Sequence, residues 1–331
     1  MTKVLVTGVG GGVGQSIVKS LQDTPYTVVG VDGEPLGTGL YAVPKAYKVP
    51  YASDPAYIQR LLDICTAEGC LLIFPGMDAE LPVLSQHADV FRWKGVIPVV
   101  SSQDVISISD DKLATYRFLI DHGFDAPFTI DLLQDRVDCI KFPIVLKPRK
   151  GGARSEGVHV VYNQQELLLR LSTLNLSNYV AQEYIEGDEF TCGSINFNGC
   201  CYGPIVMRRI LRNGDTYKAF IVSNENIQDY VREVAERLKP FGACNFQLKL
   251  RNGKPYIFEL NARCSGTTYA RSLAGFNEPL MIANFLLRGK TPTYEIKNIS
   301  ILRYWKELVV DNSRIAMLEQ TGEIVGDGGR L

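Results

Sequence analysis

Pro143-Ile144-Val145-Leu146-Lys147-Pro148 runs into Arg149-Lys150-Gly151-Gly152-Ala153-Arg154-Ser155-Glu156-Gly157, and a second apolar run, Val158 to Val161, follows. The first segment is a short buried strand, Ile144 to Lys147, with a lysine near its end. The middle is a loop rich in glycine and basic residues. Glycine lets the backbone approach a ligand closely and presents amide donors to oxygen. A surface turn needs no arginine, so Arg154 adds weight to a phosphate contact. A lone lysine beside proline is otherwise a solvated strand end. Lys147 gains meaning from the segments on either side of it.

Upstream lies Ser109-Asp110-Asp111-Lys112-Leu113, opening a helix expected over 110–122 and closed by Gly123. Downstream lies Gln182-Glu183-Tyr184-Ile185-Glu186-Gly187-Asp188-Glu189-Phe190-Thr191. Two strands are then expected, Ala243 to Leu250 and Pro255 to Leu260, joined by a hairpin at Asn252-Gly253. The second leads into Glu259-Leu260-Asn261-Ala262-Arg263. Glu259 and Asn261 alternate with Leu260, so both face the cleft if Leu260 packs inward.

This ordered set resembles the ATP-grasp superfamily, most closely its carbamoyl-phosphate-synthase-like and carboxylate–amine ligase branches. The resemblance implies an α/β protein. A doubly wound, Rossmann-like domain at 1–108 precedes a two-lobed α+β ATP-grasp module. The small lobe with the phosphate flap would span 109–187, and the large lobe with metal and catalytic residues 188–331. It implies an ADP-forming ligase. ATP activates a small-molecule carboxylate as an acylphosphate, and an amine or other nucleophile displaces the phosphate.

The same resemblance assigns roles residue by residue. Lys112 and Lys147 neutralise nucleotide phosphates, and Gly151, Gly152 and Arg154 belong to the flap. Gln182, Glu183, Ile185 and Glu189 hold the adenosine, with an amide at 182 where the family often has a carboxylate. Glu259 and Asn261, joined by Gln247, ligate magnesium, with manganese as the alternative metal. Arg263 binds the transferred phosphate and, with Lys147, Glu259 and Asn261, forms the catalytic set. Glu80, Arg208, Arg209, Lys218 and Ser265 are candidates for substrate contact, although solvated faces or a simple turn account for them as well.

The first hundred residues alternate strands and helices, as a parallel sheet requires. A helix is expected over 55–68, with Asp54 as its N-cap and Pro55 in its first turn. Thr7-Gly8-Val9-Gly10-Gly11-Gly12-Val13-Gly14 sits between the first strand and helix, where phosphate binds in dinucleotide folds. Gly8, Gly11 and Gly14 fit the spacing of short-chain dehydrogenases, and Asp32 at the end of the second strand could bind a ribose. The competing function is therefore an NAD(P)-dependent oxidoreductase. That family needs a Tyr-x-x-x-Lys pair, and only Tyr41 and Lys45 have the spacing. They lie too soon after the second strand, with Pro44 between them, so the glycines are read as packing devices. A non-catalytic nucleotide-binding module is a further alternative.

Composition narrows the classes. The 331 residues carry 35 Lys plus Arg against 36 Asp plus Glu, a net charge of −1. The basic excess of a phosphate-driven nucleic-acid binder is missing, and a 46% hydrophobic content excludes a disordered chain. No apolar run reaches membrane-spanning length, and the start at Met1 to Val6 is too short for a signal peptide. Eight cysteines without a Cys-x-x-Cys pair, beside three histidines, argue against zinc and for reduced thiols in the cytoplasm. Partners are expected to be small molecules, not nucleic acid or membrane, and a homodimer stays open.

Overall fold

The structure is a computed structural model and describes residues 1–135, 139–152, 155–326 and 329–331. Strands β1 (Thr2–Val6), β2 (Tyr26–Asp32), β3 (Lys45–Lys48), β4 (Cys70–Phe74) and β5 (Ile97–Pro98) form a parallel sheet in the order 3-2-1-4-5. The strand order reverses beside β1, so the loops after β1 and β4 meet at the switch point. The helix Gly12–Leu21 packs tightly behind the glycine loop, because a Cβ at Gly14 would lie 2.2 Å from the Gly8 carbonyl oxygen. Glycine is the only residue that fits there.

Two expected helices are redrawn. The first spans Tyr57–Glu68, because Asp54 takes the amide of Ala56 at 2.8 Å and closes a turn ahead of the helix. The expected 110–122 helix is the shorter Lys112–Asp121, and a separate helix, Gln103–Asp110, ends just before it. Asp111 between them is extended, and its carboxylate accepts from the amides of Leu113 and Ala114 at 2.9 and 3.2 Å. That N-cap makes Lys112 the first residue of a new helix.

Strands β6 (Thr129–Asp131), β7 (Ile144–Pro148), β8 (His159–Val161) and β9 (Tyr179–Glu183) form an antiparallel sheet in the order 6-9-7-8. It has its own core around Ile130, Ile144, Leu146, Val161, Leu167 and Ala181.

The third sheet comprises β10 (Glu189–Phe197), β11 (Cys200–Arg212), β12 (Asp215–Ile221), β13 (Gly242–Arg251), β14 (Lys254–Asn261) and β15 (Ser300–Leu302), ordered 14-13-10-11-12-15. Three of its hairpins turn on Asn-Gly pairs, at 198–199, 213–214 and 252–253, with both residues at positive φ. This is the two-residue turn whose twist matches that of the strands it joins. The helix Glu225–Leu238 covers one face of the sheet, over Phe190, Val206, Phe246, Leu248 and Leu260. Alternation turns Glu189, Arg209, Gln247 and Asn261 to the other face.

The upper part of that face shares a core with the first sheet: Val4, Val6 and Phe74 lie in one cluster with Ile195, Phe197, Phe276 and Ile282. Finally β16 (Glu323–Val325) returns to the first sheet and pairs antiparallel with β3. Among the described residues, no helix is long and apolar enough to cross a membrane.

Candidate active site

The two lysines come from different elements and converge. Lys112 Nζ donates to the carbonyl of Gly151 at 2.8 Å, joining its helix to the glycine loop. Lys147 is 4% exposed, and its Nζ donates to the carbonyl of Phe258 at 3.0 Å. That carbonyl is available because β13 and β14 shift register between Gln247 and Leu248, leaving Phe258 as a bulge. Burial first, and the charge of Lys112 second, bring the Lys147 ammonium down to about 7; Glu259 and Glu189 oppose the shift. A buried cation with so little to neutralise it is primed for an anionic ligand.

Beside it, Leu260 is in the core while Glu259 and Asn261 face the cleft, with Asn261 Nδ2 donating to Glu259 Oε1 at 3.2 Å. Arg263 is almost fully enclosed. Its Nε and Nη2 meet both oxygens of Asp78 at 2.7 and 2.5 Å, Nη2 also reaches Asn261 Oδ1 at 3.2 Å, and Nη1 reaches the carbonyl of Cys264 at 2.9 Å. Asp78, Ser109, Lys112, Glu259, Asn261 and Arg263 line one small cavity of about 80 Å³. A larger one of about 360 Å³ lies in the first domain, against Gly10, Asp32, Glu34, Tyr51, Met77 and Glu80. The smaller is where cations and hard oxygen donors meet, and we take it as the site.

The metal question turns on donor chemistry. Among the described residues, no three His, Cys, Asp or Glu side chains gather to hold an ion. Glu259 supplies one carboxylate and Asn261 an amide oxygen. Gln247 stands opposite Glu259 in the β13–β14 register, but its Oε1 accepts from Arg209 Nη2 at 2.7 Å. One carboxylate with neutral oxygens is a poor cage on its own. It fits magnesium, which keeps waters and takes its remaining ligands from phosphate oxygens.

The hinge candidates are spread along β9 and beyond. Gln182 is buried and donates to Thr129 Oγ1 at 2.7 Å. Glu183 accepts from the amide of Phe128 at 3.2 Å and forms an ion pair with Arg251. Ile185 is buried. Glu189 accepts twice from Arg209, at 2.9 and 2.5 Å.

The structure separates the substrate candidates. Arg209 faces the cleft. Arg208 faces the other way, stacked 4.7 Å over Phe220 and 3.6 Å from Asp188, and Lys218, paired with Ile210, shares its side of the sheet. Ser265 is buried, and its Oγ accepts from Arg271 at 2.9 Å. Glu80 is buried in the first domain. It accepts from Thr7 Oγ1 and the amides of Gly76 and Met77 at 2.6 to 2.8 Å, and from Tyr57. Burial holds its carboxyl above the usual range despite those donors. Arg154 lies outside the described residues.

The oxidoreductase alternative is not favoured. Asp32 Oδ2 accepts from the amide of Gly10 at 2.7 Å and Oδ1 from that of Glu34 at 2.9 Å. The carboxylate that would hold a ribose and an amide of the loop that would hold a pyrophosphate are bonded to each other. Tyr41 donates to the carbonyl of Pro35, and Lys45 pairs with Glu323, so neither serves a nicotinamide.

Three residues of the site have no signature of their own in the sequence. Asp78 is near Glu80 and invites no attention until Arg263 is seen against it. Arg149 binds Asp111 through Nε at 2.7 and 2.9 Å, tying the end of β7 to the cap of the Lys112 helix. Arg271, wholly buried, holds Ser265, Thr267, Thr268, Asn245 and Glu278, fixing the turn that follows Arg263. Only the basic residues flanking the glycine loop gave any hint, and that hint pointed to Arg154.

Residues 4–100 match the PylC-like N-terminal domain family and residues 109–267 the ATP-grasp domain family. The D-alanine–D-alanine ligase A of Bacillus cereus is 30% identical over 177 residues, covering 47% of this chain and 58% of that protein. The carbamoyl phosphate synthase large chain of Thermoanaerobacter sp. (strain X514) is 23% identical over 242 residues, covering 67% of this chain and 22% of its own length. The chain thus spans little more than half of the first relative and under a quarter of the second. In fold it is similar to N5-carboxyaminoimidazole synthetase from Staphylococcus aureus, with a TM-score of 0.70 at 16% identity over 89% of this chain and 80% of that one. Two family matches thus follow one another along the chain, a PylC-like N-terminal domain at residues 4–100 and an ATP-grasp domain at residues 109–267.

Proposed function

We propose that the protein is an ADP-forming ligase that activates a small-molecule carboxylate with ATP and joins it to an amine. The observation that carries this reading is the meeting of Lys112, Lys147, Glu259, Asn261 and Arg263 in one cleft, from elements far apart in the chain. Such a site has strong cationic donors and, among the described residues, no nucleophile–base pair, which suits phosphoryl transfer: positioning and charge stabilisation.

In this reading the nucleotide lies along the cleft face of the third sheet, its base toward residues 182–189 and its phosphates toward Glu259. The substrate carboxylate oxygen attacks the γ-phosphorus, ADP leaves, and the acylphosphate so formed is attacked at its acyl carbon by the amine, releasing phosphate. Lys147 and Lys112 hold phosphate oxygens as point charges. Arg263 takes the transferred phosphoryl group. Glu259 and Asn261 would hold magnesium, which supplies Lewis-acid charge at the phosphates when bound. Gly151 and Gly152 lie beside Lys112 at the site and help to keep water from the acylphosphate.

ADP release measured over a panel of amino acids, hydroxy acids and sugar acids, each with amine partners, tests the reading. Release that depends on one acid and one amine is the expected result. ATP that neither binds nor turns over would refute it. The eight cysteines, with no Cys-x-x-Cys pair among them, support a reducing, cytoplasmic setting.

A further inference from the structure

Arg209 is the cation of this cleft that the proposed mechanism leaves unused. Its side chain is 10% exposed, and it pairs with Glu189. Nε and Nη2 both donate to Glu189 Oε1, and Nη2 also donates to Gln247 Oε1. These bonds occupy the N–H of Nε and both of Nη2. Nη1, with two further donors, has no partner among the described residues. A guanidinium held on one edge by protein and left open on the other is set up to receive an anion.

The sheet register shows which anion. Glu189 and Arg209 are cross-strand partners, Thr191 is level with Gln247, and Gln247 is level with Glu259. Asn245 and Asn261 form the next cleft-facing row. Two residues along a strand advance about 7 Å. The rows therefore run from Glu189 and Arg209, through Gln247 and Glu259, to Asn261 and finally Arg263. Arg209 belongs to the first row and its head leans toward the second. That is the stretch between a ribose at Glu189 and a phosphoryl group at Arg263. A substrate carboxylate would have to lie beyond Asn261, two rows away.

We propose that Arg209 binds the inner phosphates of the nucleotide through Nη1, with Glu189 and Gln247 as the groups that aim it. This assignment rests on the ligase reading above and takes Arg209 out of the substrate-carboxylate pocket. It also gives Gln247 a task other than metal ligation: its oxygen holds the guanidinium in place. Arg208, one residue away and on the opposite face of the sheet, supplies the internal control.

The experiment is calorimetric titration of ADP and of adenosine, in EDTA, into the full-length protein and three variants. Arg209→Met should weaken ADP by about tenfold or more, the loss expected for charged hydrogen bonds, and leave adenosine within about twofold. Arg209→Lys should recover part of the ADP affinity, and Arg208→Met should match the wild type. Equal losses for adenosine and ADP in both Arg209 variants would overturn the proposal, because Arg209 would then serve only to place Glu189. Unchanged ADP affinity in Arg209→Met would overturn it as well and leave the ligase reading standing. A wild-type protein that binds neither ligand would refute the nucleotide site itself.

Discussion

Asp78 and Arg263, 185 residues apart in the chain, face each other in a two-pronged ion pair, Nε to Oδ1 at 2.7 Å and Nη2 to Oδ2 at 2.5 Å. Asp78 sits in a turn anchored by Glu80, which Thr7, Tyr57 and two amides hold from several sides. The first domain thereby takes hold of the arginine assigned to the transferred phosphate. Removing either partner leaves the other short of its bonds, so the two losses should not add. Urea denaturation of Asp78→Ala, Arg263→Ala and the double variant should give a coupling of about 1–3 kcal/mol. Additive losses would mean that the pair is incidental to stability.

Lys147 predicts a proton effect. Free, it titrates near 7; phosphates around it favour the charged form and raise that value. Below pH 7 the ammonium is already present and binding takes up no proton there. Above pH 7 nucleotide binding should take up about one proton, and affinity should fall by up to about tenfold per pH unit until the bound-state value is reached. Titrations at pH 8 in buffers of different ionisation enthalpy measure the uptake. Lys147→Met should remove it; uptake that survives the substitution would assign it elsewhere.

Glu259 is the carboxylate assigned to the metal. Glu259→Gln keeps the size and the partner Asn261 but removes the charge. Magnesium-dependent ADP release should drop on the order of a hundredfold or more, with the thermal transition almost unmoved, since the residue is only partly buried. A variant with wild-type magnesium dependence would move the metal off this residue.

Gly193 tests the buried network behind the site. A Cβ there would lie 2.3 Å from Arg271 Nε and 2.6 Å from Glu278 Oε1, both on fully buried side chains. Gly193→Ala must displace one of them, and breaking a buried pair costs about 3–5 kcal/mol. Guanidinium denaturation should report a loss of that order. A loss under about 1 kcal/mol would show that the pair shifts without breaking.

The alternation of Glu259, Leu260 and Asn261, and the Asn252-Gly253 turn, could be read directly because they depend on residues one or two apart in the chain. Lys147 could be placed on a strand for the same reason. The Phe258 bulge could not, since a register shift is a property of two strands and leaves no mark on either. Asp111 reads as a residue of the helix's first turn; that it stands outside the helix as its cap depends on its carboxylate turning back on two amides, and Arg149 at the end of β7 steadies it there. Asp78 against Arg263 is the extreme case. Nothing local distinguishes that aspartate, and only the docking of the first domain brings it to the arginine.

The way the cores are divided says which part of the molecule has freedom to move. The first and third sheets are fused through common apolar packing, and β16 stitches the far end of the chain back beside β3. The sheet of β6 to β9 packs around side chains of its own. A clamp with one arm welded to its body has a single working joint. Lys147 and the glycine loop ride on the free arm, Glu259, Asn261 and Arg263 on the fixed one, and the bond from Lys147 to the Phe258 carbonyl and the Glu183–Arg251 ion pair both span the jaw.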